Sequence, residues 1–335
     1  MRMTILASGS KGNSTIVASA RTRLLIDAGL SCRELLKRMA QADEDPAALD
    51  AILITHEHQD HIAGLAVLAR RLRIPVYFTE PTHRAWVRMM APRTTMTYAK
   101  WLEHTQKEKV ARAAAATQLT SEPGAPNELG APDLDSETWD RSVADLQASA
   151  AASDEGVAAA SPRDPARLPA VEYFQPGTAF SIGDLTVTPF TTPHDAADPC
   201  GFVFESASEA IRMAIATDLG YMPPNVKSAL QRIDVLLLES NHDLDMLKDG
   251  PYPWAVKQRV LSRVGHLSNH ATAQFLAQDY DGHATCIVLG HLSESNNAPE
   301  LALLSAEQAL RERGTLLGNR VLLAQQSAPL APICL

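Results

Sequence analysis

Short apolar runs set off by glycines and polar turns open the chain. Residues 3–7, 14–19 and 23–27 carry β-branched and apolar side chains between such turns, which predicts three strands. Ser31, with Glu34 three positions on, has the pattern of a capping box and predicts a helix running to about residue 40. An apolar run at 51–55 predicts a buried strand ending directly at a cluster of histidines. Helical spacing over 63–71 and a strand at 75–79 follow. The pattern lapses between about 117 and 170 and then restarts. Strands are predicted at 171–174, 179–182, 185–191, 202–205, 213–217, 234–239, 286–289 and 321–324, and helices at 223–231, 254–263, 270–278 and 299–313. Two strand-rich halves, each followed by helices, predict an α+β fold: two stacked sheets with helices outside, an αββα sandwich of four layers.

The chain of 335 residues is long enough for one large core. The expectation is a single domain over 1–335, interrupted by an insertion at about 117–170. That stretch is rich in Ala, Pro and Ser and has too little apolar periodicity to bury anything, so it reads as a mobile surface segment, with a short helix near 136–150. It carries −7 of the net charge of −9, so the rest of the chain is nearly neutral and charge does not exclude a polyanionic substrate. Cys32, Cys200, Cys286 and Cys334 are too scattered for a structural zinc site and read as reduced thiols. The start lacks a basic stretch leading into a long apolar run, and no stretch approaches the roughly 18 apolar residues of a spanning helix. A cytoplasmic protein with no membrane partner is expected.

The run His56-Glu57-His58-Gln59-Asp60-His61 changes the picture. In an extended segment His56 and His58 point the same way, and Asp60 and His61 in the following turn can face a second point nearby. Imidazole and carboxylate together suit Zn²⁺, Mn²⁺ or Fe²⁺. An exposed polar turn would explain one histidine there, not this ordered set.

Residues 55–64, Thr-His-Glu-His-Gln-Asp-His-Ile-Ala-Gly, resemble the His-x-His-x-Asp-His signature of the metallo-β-lactamase superfamily, whose fold is the αββα sandwich. The resemblance implies three further ligands, and His194, Asp218 and His291 occupy matching positions after later strands. It implies two divalent metal ions, Zn²⁺ or Mn²⁺ with Fe²⁺ as a further option. His56, His58 and His194 would hold one, Asp60, His61 and His291 the other, with Asp218 between them. The blocks Ser8–Ser14, Glu239–Asp243, Gly265–Asn269 and His291–Asn297 together resemble the YycJ/WalJ-like subfamily, and the last two are similar to the tRNA-processing enzyme RNase Z.

That resemblance implies a phosphodiesterase or nuclease of the 5′→3′ DNA exonuclease type, in which a hydroxide between the metals attacks phosphorus. The expected partner is nucleic acid, DNA rather than RNA. Asp60 would orient the nucleophile and His266 would assist departure of the sugar oxygen. Ser10 and Asn13 in the glycine-rich loop, His266, and Asn296 and Asn297 are candidates to contact phosphate, although that loop could equally be a tight strand connection, His266 a helix-capping or supporting histidine, and Asn296 and Asn297 the start of the helix after Pro299. His242 fits either support of the site or substrate contact. His83, His104, His270 and His283 read as surface or structural. Two rival functions share these residues: a glyoxalase-II-like thioesterase or other small-molecule hydrolase, and a non-catalytic metal-binding regulatory protein. A di-iron redox role fits less well, since such sites put a carboxylate where this chain has His58.

Overall fold

The computed structural model describes residues 1–90, 165–313 and 318–335. The helix expected near 136–150, His104 and all but the last six residues of the 117–170 stretch lie outside them.

In chain order the strands are β1 (Arg2–Ala7), β2 (Ser14–Ala18), β3 (Arg23–Ile26), β4 (Ala51–Leu53), β5 (Val76–Phe78), β6 (Val171–Tyr173), β7 (Phe180–Ile182), β8 (Leu185–Thr191), β9 (Cys200–Ser206), β10 (Ile211–Ala216), β11 (Val235–Glu239), β12 (Cys286–Gly290), β13 (Arg320–Leu323) and β14 (Ile333–Cys334). They form two seven-stranded sheets, ordered β14-β1-β2-β3-β4-β5-β6 and β13-β12-β11-β10-β9-β8-β7. Helices α1 (Cys32–Gln41), α2 (Gln59–Ile62), α3 (Leu65–Leu72) and α4 (Glu80–Met90) belong to the first half. The second half contributes α5 (Pro224–Ala229), α6 (Leu244–Asp249), α7 (Trp254–Val260), α8 (Asn269–Gln278) and α9 (Pro299–Glu312).

The period of two explains the layering. Along β11, Val235 and Leu237 enter the core between the sheets, whereas Leu236 and Leu238 pack under the outer helices. Cys286 and Val288 of β12 repeat the inner set, and Ile287 and Leu289 the outer one. These strands pair in parallel, β10 with β11, β11 with β12 and β12 with β13, so both faces are covered and the runs are continuously apolar. A third cluster, including Leu25, Ile52, Leu35, Leu65, Leu68 and Trp86, fills the space between the first sheet and its helices. The result is the expected αββα sandwich.

Ser31 caps α1 as its sequence suggests, its Oγ accepting from Glu34 N–H at 3.3 Å. Among the described residues, α4, α6, the single turn α2, the 3-10 turn Pro46–Ala48 and the two-residue β14, which pairs Arg2 with Cys334, lie where no regular structure was expected. The helix expected over 254–263 stops at Val260. Gly265 folds back so closely that a Cβ there would sit 2.1 Å from Val260 O, and His266 N–H bonds that same carbonyl at 3.0 Å.

Candidate metal centre

β3 and β4 run parallel, as do β10, β11 and β12, and β8 has the same sense as β10 because both are antiparallel to β9. The carboxyl ends of these strands therefore gather on one rim, where α/β sheets bind ligands. Asp27 follows β3, the histidine run follows β4, and His194 lies beyond β8. Asp218 lies beyond β10, Glu239 ends β11 and His291 follows β12. Asp27, Asp218 and His291 have φ of 60°, 61° and 55°, left-handed values that side-chain-bearing residues seldom adopt and that concentrate at functional sites.

His58 is extended, with φ −62° and ψ 148°, and occupies the N-cap position of α2 without a side-chain capping bond; Asp60 and His61 belong to that single helical turn. Among the described residues four sets of donor atoms result, each lying within 4.8 Å of one another: His56, His58 and His194; Asp60, His61 and His291; His56, His61 and Asp218; and Asp218, Glu239, His266 and His291. Asp218 sits among them, 3.4 Å from His61 Nε2, 3.5 Å from His291 Nδ1 and 3.8 Å from His194 Nε2. The structure thus brings together all seven residues expected as ligands.

Most of the ring orientations are set from behind. His61 Nδ1 lies 2.8 Å from Asp27 Oδ2, which also accepts from Thr55 Oγ1 at 2.8 Å. His194 Nδ1 lies 3.1 Å from Gly265 O, and His56 Nδ1 lies 3.0 Å from Thr55 Oγ1. These three rings turn Nε2 inward. His58 is reversed, with Nε2 3.2 Å from Asp195 O and Nδ1 facing His194 Nε2 at 3.2 Å. Glu239, fully buried, joins two more rings: Oε1 lies 2.8 Å from Nδ1 of both His266 and His291, and Oε2 accepts from Leu219 N–H and Leu267 N–H. Such partners fix tautomer and aim, and removing them weakens metal sites. Sequence gives Asp27, Thr55 and Glu239 no role at the site, although Thr55 and Glu239 fall within the quoted blocks, because one polar residue beside an apolar strand has no local pattern that reveals its partner.

Burial disfavours charge on His61 and His291, yet facing carboxylates overcome it. Asp218, Asp60 and Asp27 hold His61 well above the usual imidazole range, and Asp218, Asp60 and Glu239 do the same for His291. Burial also opposes charge on Asp60 and Asp218, but the imidazoles around them hold both well below the usual carboxylate range. Burial pushes His56 well down. The cluster thus demands positive charge at its centre. His56 Nε2 and Asp218 Oδ2 are buried there without a hydrogen-bond partner. Buried polar atoms seldom stay unpaired, so these donors fit divalent cations, with imidazole and carboxylate as borderline and hard ligands.

The residues expected at the substrate are placed less uniformly. His266 is on the rim, its side chain 20% exposed, with Nδ1 committed to Glu239. Ser10 is exposed, whereas Asn13 is buried, its Nδ2 3.1 Å from both Asp60 Oδ2 and His61 Nε2. The glycine-rich loop spends the N–H groups of Ser8, Gly9, Lys11, Gly12 and Asn13 on protein acceptors, and Ser8 Oγ receives His291 N–H at 2.8 Å. It is a connection that braces the ligands. Asn297 is buried, and its amide serves Ser240 O, Asn241 O, Asn269 and Ala298 N–H. Asn296 is fully buried beside Ser293. Neither presents an amide to solvent. His242 is buried with both ring nitrogens unpartnered, and burial pushes it down to about 4. His83 bonds Tyr173 and His283 bonds Asp234, both away from the cluster.

Two stacked mixed sheets carrying a His/Asp cluster on their common rim define a metallohydrolase architecture. The family model of the metallo-beta-lactamase superfamily matches residues 7–256, and the chain belongs to that superfamily, in its YycJ/WalJ-like group. It is 30% identical over 319 residues to exodeoxyribonuclease YycJ of Bacillus anthracis, covering 95% of this chain and 92% of that one. It is 30% identical over 311 residues to exodeoxyribonuclease WalJ of Streptococcus pneumoniae, covering 93% and 88%. Among solved structures, the metallo-beta-lactamase fold protein YhfI of Bacillus subtilis aligns with TM-score 0.57 at 13% identity, over 98% of both chains. Human tRNase Z, short form, aligns with TM-score 0.53 at 13% identity over 99% of both, a likeness of fold. Among the described residues no helix is long and apolar enough to cross a membrane.

Proposed function

We propose that the chain is a dinuclear metal-dependent phosphodiesterase that digests DNA from the 5′ end. The observation carrying this is the donor arrangement itself: His56, His58 and His194 form one set, Asp60, His61 and His291 another, and Asp218 lies 3.4 Å from His61, 3.5 Å from His291 and 3.8 Å from His194. The two relatives named exodeoxyribonucleases, similar along nearly the whole chain, support the choice of substrate.

His56, His58 and His194 would hold one cation and Asp60, His61 and His291 the second, with Asp218 facing both. When bound, divalent cations of the zinc or manganese type acidify water and neutralise charge on phosphoryl oxygens. The protein's part is positional. Asn13 fixes the Asp60 carboxylate through Nδ2, so that Asp60 can orient the attacking water. Glu239 occupies Nδ1 of His266, leaving Nε2 to carry a proton to the departing sugar oxygen. Free cysteines at Cys32, Cys200, Cys286 and Cys334 suit a reducing, cytoplasmic setting.

The test is metal analysis coupled to product mapping on a 5′-labelled DNA duplex. Two equivalents of metal and mononucleotides released from the 5′ end are expected. Asp60→Ala and Asp218→Ala should fold, bind less metal and lose cleavage by at least about a hundredfold. Wild-type turnover in either variant overturns the site assignment. Hydrolysis of a glutathione thioester without digestion of DNA overturns the substrate.

A further inference from the structure

Residues 250–266 contain Lys257, Arg259 and Arg263 and no aspartate or glutamate, in a chain of net charge −9. The same stretch turns large apolar side chains outward: Trp254 is 66% exposed, Leu261 49% and Val264 43%. These exposed side chains flank the cations of the segment at both ends of α7.

Its position ties it to the metal centre. Val264 O accepts from Asp195 N–H at 3.1 Å, Gly265 O lies 3.1 Å from His194 Nδ1, and Arg259 Nε pairs with Asp195. The carboxyl end of α7 therefore abuts the ligand loop, while Trp254 stands at its other end. Seven residues of helix reach about 10 Å, the length of about three stacked nucleotides. Lys257 lies three positions after Trp254, on the same face. Arg263 holds its guanidinium 4.3 Å from the centre of the Tyr221 ring, which fixes a cation beside the Asp218–Tyr221 turn.

Exposed aromatic surface interleaved with cations is what holds a single nucleic-acid strand, with bases stacking and phosphates paired. A second copy of the chain fits less well, because a two-fold contact sets the same patch against itself and would oppose these cations to one another. We propose that α7 and residues 261–266 form the strand-holding wall of the nuclease. A single DNA strand leaves the metal centre along α7, its phosphates facing Lys257 and Arg263 and a base stacked on Trp254. The proposal rests on the nuclease reading and adds to it where the strand runs.

The experiment compares the full-length chain with Trp254→Ala, Trp254→Phe and Arg263→Ala. A phosphorothioate-linked single strand serves for binding and an ordinary strand for kinetics. Trp254→Ala should weaken binding about five- to a hundredfold, and Trp254→Phe should restore most of it. The loss should fall on KM more than on kcat. Arg263→Ala should reduce the slope of log Kobs against log salt by about 0.7. Wild-type digestion with unchanged binding in all three variants overturns the wall and leaves the nuclease reading intact. Absence of binding and digestion in the wild type overturns the nuclease reading itself. Conversion of a wild-type dimer to monomers by Trp254→Ala, with DNA binding unaltered, overturns the wall in favour of a self-contact.

Discussion

Nδ1 of His61 lies 2.8 Å from Oδ2 of Asp27, on the side of the ring away from the donor cluster. Asp27→Ala removes the acceptor that fixes the tautomer and frees the ring to turn. Metal affinity should fall about ten- to a hundredfold, read by competition with a chromogenic chelator. Unchanged affinity would show that the ring is aimed by packing alone.

Glu239 receives four N–H groups on two oxygens, from His266, His291, Leu219 and Leu267. Glutamine has one oxygen, so Glu239→Gln sets an amide donor against other donors. A loss of about 1–3 kcal/mol in urea unfolding is expected, with activity falling further than in Asp27→Ala because two histidines are disturbed. Full activity in this variant would count against any role for His266 in the reaction.

Gly29 backs directly onto the ligand turn: a Cβ there would lie 1.7 Å from Asp60 O. Gly29→Ala must displace α2 or its own loop. The expected cost is at least about 2 kcal/mol, together with a loss of metal stoichiometry, measured by thermal melting and elemental analysis of one sample. A variant that binds two metals with wild-type stability would refute this tight contact.

Burial pushes the unpartnered His242 down to about 4. An unfolded chain takes up that proton near pH 6.5, whereas the native one refuses it until about pH 4. The unfolded state therefore binds more protons between these values, and stability falls as pH drops through them. The difference between wild type and His242→Leu should change by roughly 3 kcal/mol between pH 7.5 and 4. A pH-independent difference in urea midpoints would show that the ring takes up its proton at the same pH in the folded and unfolded chains.

β11 and β12 were legible as short unbroken apolar runs, because parallel strands covered on both faces bury every side chain, and the ligand run was legible because its donors are adjacent. Asp27 and Glu239 were not, since their partners lie 34 residues away at His61 and 52 away at His291. Asn296 and Asn297 left two readings open in the sequence, a phosphate contact or the start of the following helix. Tertiary packing turns both inward, and Asn297 Oδ1 accepts from Ala298 N–H at the start of α9. Helix α4 escaped because only Thr82 and Trp86 of its eleven residues are buried, too few to show a period of 3.6.

The donors are divided between the sheets: His56, His58, Asp60 and His61 follow β4 in one, whereas His194, Asp218 and His291 follow strands of the other. Each proposed cation therefore needs both halves. During synthesis the amino-terminal half would leave the ribosome with its histidines exposed but neither cation fully enclosed, and the second position would stay open until His291 had emerged. Loading would then report that translation and docking of the sandwich were complete. A truncated chain would retain the histidine run without assembling a cleaving centre.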